Sequence, residues 1–298
     1  MKRLILVIFA SICPLIFGSC QEKLEWTIDI VAGQAVSIDE VDYIQYEEIM
    51  PLSGRYPQGG DCWGDYFFQF TNNNSTVRIY DLATKTLVQT LSIPGSQRGF
   101  VSNCHCNSVC FGTEYYDVED FFPLIYVSTG YAANAYTGAL VYRITQHNGI
   151  FFITLVQTLK FPVEKSSWTE FVPGNEYAYL CYTSERIIYK VKMPKLKDGE
   201  IVIGREDAIE TYQFNPQPNW MASSRNQDRI FHQGKILVIS GVPPGEASVL
   251  FVLNLETRER ERIIDFKKNG LTSEPESIFI WQGDICVAFV DKIVKLVL

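Results

Sequence analysis

The feature of this chain that most limits its fold is a repeated pairing of a hydrophobic strand with a second strand that begins on polar residues. The five hydrophobic strands are Ile44–Leu52, Leu87–Pro94, Ile153–Pro162, Ile209–Pro216 and Glu259–Phe266. The five polar starts that follow them are Asp61–Trp63, His105–Asn107, Trp168–Glu170, Gln227–Arg229 and Glu274–Glu276. A supersecondary unit repeated in this way is typical of a β-propeller, in which each unit forms one blade.

Each unit also has the composition of a four-stranded antiparallel blade. In the fourth unit, strand patterns at Lys235–Ser240 and Val249–Leu255 are separated by the loop residues Pro243–Gly245. A turn at Thr257 and Arg258 then leads into the hydrophobic strand of the unit. No stretch keeps the apolar spacing of an amphipathic helix, so we expect an all-β protein with few helices.

The two ends of the chain predict how the ring closes. The last unit contains only three strands, at Ile278–Trp281, Asp284–Phe289 and Lys292–Leu298, and the first hydrophobic strand has no blade of its own. Pairing the two ends completes a blade and removes two open strand edges. We therefore predict a single five-bladed propeller over residues 43–298, closed by the N-terminal strand. A sixth blade inside the long second unit, or a pair of β-sandwiches, is the alternative.

The N-terminus has the pattern of a bacterial export signal. A basic start at Met1–Arg3 precedes the apolar run Leu4–Phe17, which is too short to span a bilayer. Small residues then precede Cys20, as in the lipobox of lipoproteins. We expect residues 1–20 to be a lipoprotein signal peptide with Cys20 as the lipidated residue, and residues 21–42 to be a tether. Plain secretory cleavage is the alternative. The predicted location is the cell envelope, as an outer-membrane lipoprotein.

The charge of the mature chain limits its partners. Without Lys2 and Arg3 the chain has 24 basic and 34 acidic residues, a net charge of −10. An acidic surface repels phosphate backbones, so nucleic acid is excluded as a partner. We expect a monomer that meets the membrane only through its lipid anchor and whose partner is a glycan or an envelope protein.

The polar strand starts are the candidate functional residues. The first strand of every propeller blade lines the central axis, so these starts should converge at one mouth of the channel. The predicted binding residues are Asp61, His105, Asn107, Glu170, Asp228, Arg229 and Glu276. Convergent carboxylates can bind sugar hydroxyls or a cation, or act as general acid and base. The alternative is that they only solvate the channel and lock the blades together.

The cysteines do not predict a metal site. In a strand, Cys104, Cys106 and Cys110 share one face and His105 points to the other, an arrangement that does not easily wrap a tetrahedral ion. We therefore expect no metal and no cofactor. Disulfide pairing among Cys62, Cys104, Cys106 and Cys110 stays open, since the six cysteines outside Cys13 and Cys20 allow many combinations.

Several segments together resemble a group of uncharacterised β-propeller lipoproteins of Bacteroidetes. The segments are His105–Asn107, Phe111–Gly112, Tyr115–Asp117, Phe121–Ser128, Gln227–Arg229, Gly234–Ile236 and Glu274–Ile278. The resemblance implies kinship with these lipoproteins and their location, and it implies no particular activity. Recognisable catalytic fingerprints such as a nucleophile elbow or a P-loop are absent from the sequence.

The sequence thus favours a binding protein over an enzyme. We expect an exported, lipid-anchored propeller that binds a glycan, a peptide or a partner protein at the channel mouth. One alternative is a glycoside hydrolase that uses two or three of Asp61, Glu170, Asp228 and Glu276. A second alternative is a structural subunit of an envelope complex.

Overall fold

The computed structural model describes residues 43–54, 57–71, 76–93, 105–130, 136–162, 169–182, 187–196, 199–214 and 226–297. The predicted signal peptide, Cys20 and the tether lie outside the described residues. Among those described, no helix is long and apolar enough to cross a membrane.

The described residues form five antiparallel blades of a β-propeller, which confirms the predicted fold. Blade 1 consists of β2 (Pro57–Trp63), β3 (Tyr66–Thr71), β4 (Thr76–Asp81) and β5 (Thr86–Ser92). Blade 2 consists of β6 (His105–Phe111), β7 (Ile125–Gly130), β8 (Tyr136–His147) and β9 (Ile150–Pro162). Blade 3 consists of β10 (Thr169–Pro173), β11 (Tyr177–Tyr182), β12 (Ile188–Lys192) and β14 (Glu210–Tyr212). Blade 4 consists of β15 (Asn226–His232), β16 (Lys235–Ser240), β17 (Val249–Asn254) and β18 (Arg260–Asp265).

Blade 5 joins the two ends of the chain, as the sequence predicts. It contains β19 (Pro275–Trp281), β20 (Asp284–Phe289), β21 (Lys292–Val297) and β1 (Gln45–Pro51). Strand β1 pairs antiparallel with β21, from Gln45 opposite Val297 to Pro51 opposite Lys292. The C-terminal strand therefore has a partner on both sides, and the ring is closed by backbone hydrogen bonds.

The hydrophobic core lies between neighbouring blades rather than at the centre. Alternate side chains of a strand face opposite sides of its sheet, so each blade presents one apolar layer to the blade before it and one to the blade after it. At the junction of blades 1 and 5, Phe67 stacks on Phe279 with ring centroids 4.5 Å apart. Cys62 and Cys286 belong to the same buried cluster. This packing leaves the inner strands β2, β6, β10, β15 and β19 with one edge facing the axis.

Blade 2 has a fifth strand that the sequence analysis did not predict. Residues 193–209, which connect β12 to β14 in blade 3, include β13 (Glu200–Val202), and this strand pairs in parallel with β9. A single turn of 3₁₀ helix, Arg205–Asp207, follows it. Three residues are too few to show a periodic pattern. The excursion ties blade 3 to blade 2 at the outside of the ring.

The first inner strand begins four residues before the predicted start at Asp61. Pro57 opens β2, and Gly59 and Gly60 lie inside the strand. A Cβ atom on Gly59 would lie 2.7 Å from the carbonyl oxygen of Asn107 in blade 2. Glycine is thus required where the backbones of two blades approach closely, and Asp61 falls within β2 rather than at its start.

Candidate functional site at the propeller axis

The inner strands present unpaired backbone groups to the axis, and Asp228 bonds to several of them. Its Oδ1 accepts hydrogen bonds from the backbone amides of Val109 (3.3 Å) and Arg229 (2.8 Å). Its Oδ2 accepts one from the amide of Ile278 at 3.1 Å. One fully buried carboxyl on blade 4 therefore bonds to the inner strands of blades 2 and 5.

Asp61 has the same role further along the axis. Its Oδ2 accepts the backbone amide of Phe111, the last residue of β6, at 2.7 Å, and its Oδ1 accepts the amide of Cys62 at 2.7 Å. Edge carbonyls are also bonded, since the Cys110 thiol lies 3.0 Å from the Arg229 carbonyl oxygen. Buried backbone groups need such partners, because an unpaired one costs about 1–3 kcal/mol.

A buried ion pair and the hydrogen bonds around it join three blades. Arg229 Nε lies 2.9 Å from Glu170 Oε2, and both side chains are about 1% exposed. The Asn107 amide donates to Glu170 Oε1 at 3.1 Å and to the Asn226 carbonyl oxygen at 2.9 Å. Blades 2, 3 and 4 therefore meet in one polar network.

His105 lies at the start of β6 beside this network. Its side chain is half-buried and is hydrogen-bonded to Asn107. Burial lowers the pKa of the imidazole. A neutral His105 is therefore the form expected near pH 7, and a neutral ring has one nitrogen that accepts and one that donates a hydrogen bond.

The end of the axis where the inner strands begin holds a second set of polar residues, which we call the upper layer: Gln58, Asn226, Gln227, Glu274 and Glu276. Gln58 Nε2 donates to Glu276 Oε2 at 3.3 Å, and Gln227 Nε2 donates to Glu274 Oε1 at 2.6 Å. Two buried acceptors in this layer, Gln58 Oε1 and Asn226 Oδ1, receive no hydrogen bond within the described residues.

Burial raises the pKa of every predicted carboxyl of the axis, to different degrees. For Asp61 it raises the pKa to about 7, with the amides of Phe111 and Cys62 opposing the shift. For Asp228 and Glu276 it raises the pKa well above the usual range. Nearby charges add to the shift of Glu276, Glu274 first and then Asp228.

Glu170 has a charged partner that offsets part of the effect of its burial. Desolvation raises the pKa of its carboxyl, while the guanidinium of Arg229 and then the amide of Asn107 act against that shift. Burial alone would lower the pKa of Arg229, but the attraction of Glu170, together with the smaller effects of Cys181 and Asp228, outweighs it, and the pKa is raised. We therefore regard the pair as carboxylate and guanidinium.

The predicted site residues all belong to inner strands, and the structure distributes them along the axis. Asn107, Glu170 and Arg229 meet directly, with His105 beside them. Asp228 contacts the strands of blades 2 and 5, and Asp61 lies nearer the far ends of the strands. Glu276 belongs to the upper layer. Their role in binding a ligand stays a prediction.

Sequence reasoning missed Gln58 and Asn226 as members of the upper layer. A signal for Gln58 was present, because Pro57-Gln58 in β2 corresponds to Pro275-Glu276 in β19. Both dipeptides open an inner strand, and their second residues hydrogen-bond to each other. The pair of glycines that follows Gln58 is typical of a loop and hid the start of the strand.

The cysteines of β6 do not share one face, so that interpretation was wrong. Cys106 packs in the core between blades 1 and 2, whereas Cys110 packs in a cluster with residues of blades 4 and 5. The cause is a register shift between Cys106 and Ser108, which breaks the alternation of the strand. Cys62, Cys106, Cys110, Cys181 and Cys286 are buried free thiols, and Cys104 lies outside the described residues.

Two surface cavities, of about 350 and 290 Å³, lie away from the axis. The first lies between β12 and the excursion around Ile201 to Ile209, and the second is lined by Tyr177, Tyr179 and Phe231 among others. Neither is lined by a predicted site residue. In the part of the chain that the structure describes, no group of three or more His, Cys, Asp or Glu side chains is arranged to hold a metal ion.

Solved structures with a similar fold include enzymes of several kinds. The glutaminyl cyclase of Myxococcus xanthus matches with a TM-score of 0.53 and 11% identity, over 87% of this chain and 98% of that one. A putative glucose dehydrogenase of Thermus thermophilus matches with a TM-score of 0.47 and 10% identity, over 85% and 100% of the two chains. An aldose sugar dehydrogenase of Streptomyces coelicolor gives 0.45 and 8%, over 85% and 98%.

The likeness to the glutaminyl cyclase supports the propeller fold. None of the three indicates an activity for this chain, since the identities are near those of unrelated sequences. No protein-family model and no curated protein matches the chain.

Proposed function

We propose that this chain is an exported, lipid-anchored β-propeller that binds a polar ligand at the upper layer of its axis. The ligand would be a glycan, a peptide or a segment of an envelope protein. The observation that carries the proposal is the pair of buried acceptors, Gln58 Oε1 and Asn226 Oδ1, that receive no hydrogen bond within the described residues. Buried acceptors without donors are costly, so their presence favours a ligand that supplies the donors.

The same geometry favours binding over glycoside hydrolysis. A general acid or base must reach within hydrogen-bonding distance of the substrate. Asp61 and Asp228 are bonded to backbone amides, and Glu170 is paired with a buried arginine. These carboxyls already have protein partners that hold the blades together, whereas Gln58 Oε1 and Asn226 Oδ1 of the upper layer have none within the described residues.

Screening the mature chain against a glycan array and a peptide library tests the binding proposal. We expect Gln58→Ala to weaken the binding of any ligand found by tenfold or more, because it removes an acceptor in the upper layer. Gln282→Ala is the control, since Gln282 lies in the turn after β19, at the opposite end of the inner strands. Absence of any ligand, or binding that Gln58→Ala leaves unchanged, would contradict the proposal.

The anchor proposal depends on Cys20 and the apolar run before it. Acylation of that thiol would fix the protein to a membrane without a spanning helix. We expect Cys20→Ala to move the protein from the membrane fraction to the soluble fraction and to abolish labelling with a fatty-acid analogue. A variant that keeps its acyl label and still sediments with membranes would refute lipidation at Cys20.

A further inference from the structure

The four carboxyls of the axis differ in what stabilises their charge. Asp228 accepts three backbone amides and Asp61 accepts two. Glu170 is paired with Arg229. Glu276, which is only 4% exposed, receives one neutral amide, from Gln58 at 3.3 Å. Glu276 is therefore the carboxyl whose negative charge has the least compensation from the described residues.

One of the two unbonded acceptors, Gln58 Oε1, lies beside Glu276. Gln58 is bonded to Glu276 through its own amide nitrogen, and its backbone oxygen accepts the hydroxyl of Ser277 at 3.0 Å. Because Nε2 and Oε1 of one amide are about 2.3 Å apart, the free oxygen of Gln58 lies within a few ångströms of the Glu276 carboxyl.

Asn226 is the first residue of β15, the inner strand of blade 4. Its backbone oxygen is bonded to Asn107, and Asn107 also touches Gly59, the residue after Gln58. Its neighbour Gln227 is bonded to Glu274, two residues before Glu276. Asn226 Oδ1 is buried on a residue that is 3% exposed. The upper layer thus takes acceptor oxygens from blades 1, 4 and 5, and the cation linked to it through Asn107, Arg229, is paired with Glu170.

Oxygen atoms from one carboxylate and from neutral amides are ligands for a hard cation. Ca²⁺ accepts six to eight oxygens in a flexible geometry and takes carboxylate, amide and water oxygens together, whereas Mg²⁺ demands a near-ideal octahedron and gives up its water reluctantly. Thiols, which would favour softer metals, lie elsewhere, in the cores between blades.

We propose that Gln58 Oε1, Asn226 Oδ1 and the Glu276 carboxylate bind a Ca²⁺ ion at the upper layer of the axis. The inference deepens the proposed function and rests on it, because the ion would form the floor of the proposed ligand site. Glu274 lies close enough to add negative charge, and Asp228 lies below. Water would complete the coordination shell. A site with so few carboxylates belongs to the weak class of extracellular calcium sites, with a Kd of about 0.1–1 mM.

Calorimetric titration of the mature chain with Ca²⁺ at pH 7.5 tests the inference. We expect one ion per chain, an increase in Tm on saturation, and binding of Mg²⁺ at least tenfold weaker. Glu276→Gln keeps the shape of the side chain and removes its charge, so it should weaken Ca²⁺ binding by tenfold or more. Glu256→Gln is the control, because Glu256 is exposed in the turn between β17 and β18.

Two further measurements keep the test decisive. If Glu276→Gln does not fold, Gln58→Ala, a neutral change, should weaken Ca²⁺ binding instead. Lowering the pH to 5 should also weaken binding, because protons compete with the ion for Glu276 and for the carboxyls that face it, Glu274 and Asp228. No binding by the native chain up to about 10 mM Ca²⁺, far above the range of such sites, would overturn the inference. Binding that none of these variants changes would overturn it too.

The outcomes separate the ion from the ligand. Ca²⁺ binding by a chain that binds no glycan or peptide would support the calcium site and refute the proposed function. Ligand binding that is equally strong with EDTA and with Ca²⁺, on a chain that takes up no Ca²⁺, would do the reverse. A Tm that rises only at acid pH and never with Ca²⁺ would mean that a proton alone neutralises Glu276.

Discussion

The inner and outer edges of the five blades both carry unpaired backbone groups, and they satisfy these groups in different ways. Every sheet ends in a strand with one row of unpaired backbone groups. At the axis, side chains from other blades bond to these groups, as Asp228 does to Val109 and Ile278. At the outer rim, which we define as β1, β5, β13, β14 and β18, the edge faces solvent. Exposed ion pairs such as Lys295 with Glu47 lie along it.

The difference gives a structural reason for the carboxyls along the propeller axis. Water cannot serve the inner edges once the blades pack closely, so acceptors must come from side chains. A carboxyl offers two oxygens and bonds to several amides at once. The backbone groups of the rim can bond to water and need no carboxyl acceptors. Ion pairs at the rim contribute little to the free energy of unfolding because solvent screens them. Polar substitutions should therefore be costly at the axis and mild at the rim.

The largest effect is expected for Asp228→Ala. The change leaves the amides of Val109, Ile278 and Arg229 without an acceptor, and each buried loss costs about 1–3 kcal/mol, so we expect a loss of about 4 kcal/mol in the free energy of unfolding. Urea denaturation followed by circular dichroism measures it. The matched change at the rim is Asp265→Ala, because Asp265 accepts a single exposed amide, from Lys268 at 3.0 Å.

For Asp265→Ala we expect a loss below about 1 kcal/mol. Equal losses for the two alanine variants would mean that the axis carboxyls have no special role in joining the blades.

The buried ion pair should show the next largest contrast. Arg229→Met leaves Glu170 buried without its partner, and breaking such a pair by removing one member typically costs about 3–5 kcal/mol. Lys295→Met removes ion pairs with Glu47 and Asp284, whose carboxylates are 65% and 49% exposed, and exposed pairs contribute about 0–1 kcal/mol. The free energies of unfolding of the two variants decide the point. A loss for Lys295→Met as large as that for Arg229→Met would erase the contrast.

Stability should fall as the pH rises through neutrality, because of buried acids such as Asp61. Its pKa is raised to about 7 in the folded protein, from 3.8. A raised carboxyl pKa means that its contribution is complete below the unfolded value and is lost as the pH rises through the folded value. The loss attributable to Asp61 between pH 4 and pH 8 amounts to a few kcal/mol at most.

Thermal melts of the native chain and of Asp61→Asn across that range measure this dependence. The variant cannot ionise at residue 61, so its Tm should fall less between pH 4 and pH 8. Asp228 and Glu276 shift in the same direction and should leave part of the dependence in place. A variant whose profile follows that of the native chain would contradict the assignment to Asp61.

The smallest loss of stability is expected for a pair of hydrogen bonds near the rim. The side-chain amide of Gln89 in β5 bonds to both backbone groups of Phe151 in β9, at 3.1 and 2.8 Å, and so joins blades 1 and 2. Gln89→Ala should cost about 1 kcal/mol, because water can replace part of what is lost. Denaturation with Thr90→Ala as the neighbouring control measures it. A cost as large as that of Asp228→Ala would show that the rim contributes as much as the axis.

The closed propeller could be predicted from sequence because the strand pattern and the number of strands at each end of the chain are local signals. Ile44–Leu52 lacked a blade, the last unit lacked a strand, and the two pair as β1 and β21. The excursion that forms β13 could not be predicted, since its three residues pair with a strand of another blade. Such a contact is decided by tertiary packing and leaves no periodicity in the sequence.

The sequence predicted which residues lie on the inner strands, but it did not predict the contacts between them. Asp228 and Glu170 were recognised as inner-strand residues, but a sequence does not tell which backbone amide faces a carboxyl. Gln58 was missed because Gly59-Gly60 reads as a loop, whereas these glycines admit the backbone of blade 2. Asn226 was missed because what marks it is the missing hydrogen bond to its side-chain oxygen. Whether a side chain finds a donor depends on the packing of the folded chain.

Amide hydrogen exchange of the folded protein tests the central claim most directly, since it reports on the backbone groups that the axis carboxyls are held to bond. The amides of Val109 and Ile278 lie on the open edge of inner strands and should still exchange slowly, because they donate to Asp228. In Asp228→Ala, read under conditions where the variant stays folded, protection should fall at these two amides far more than at Phe251, inside blade 4. Fast exchange of both amides in the native chain, or unchanged protection in the variant, would contradict the account.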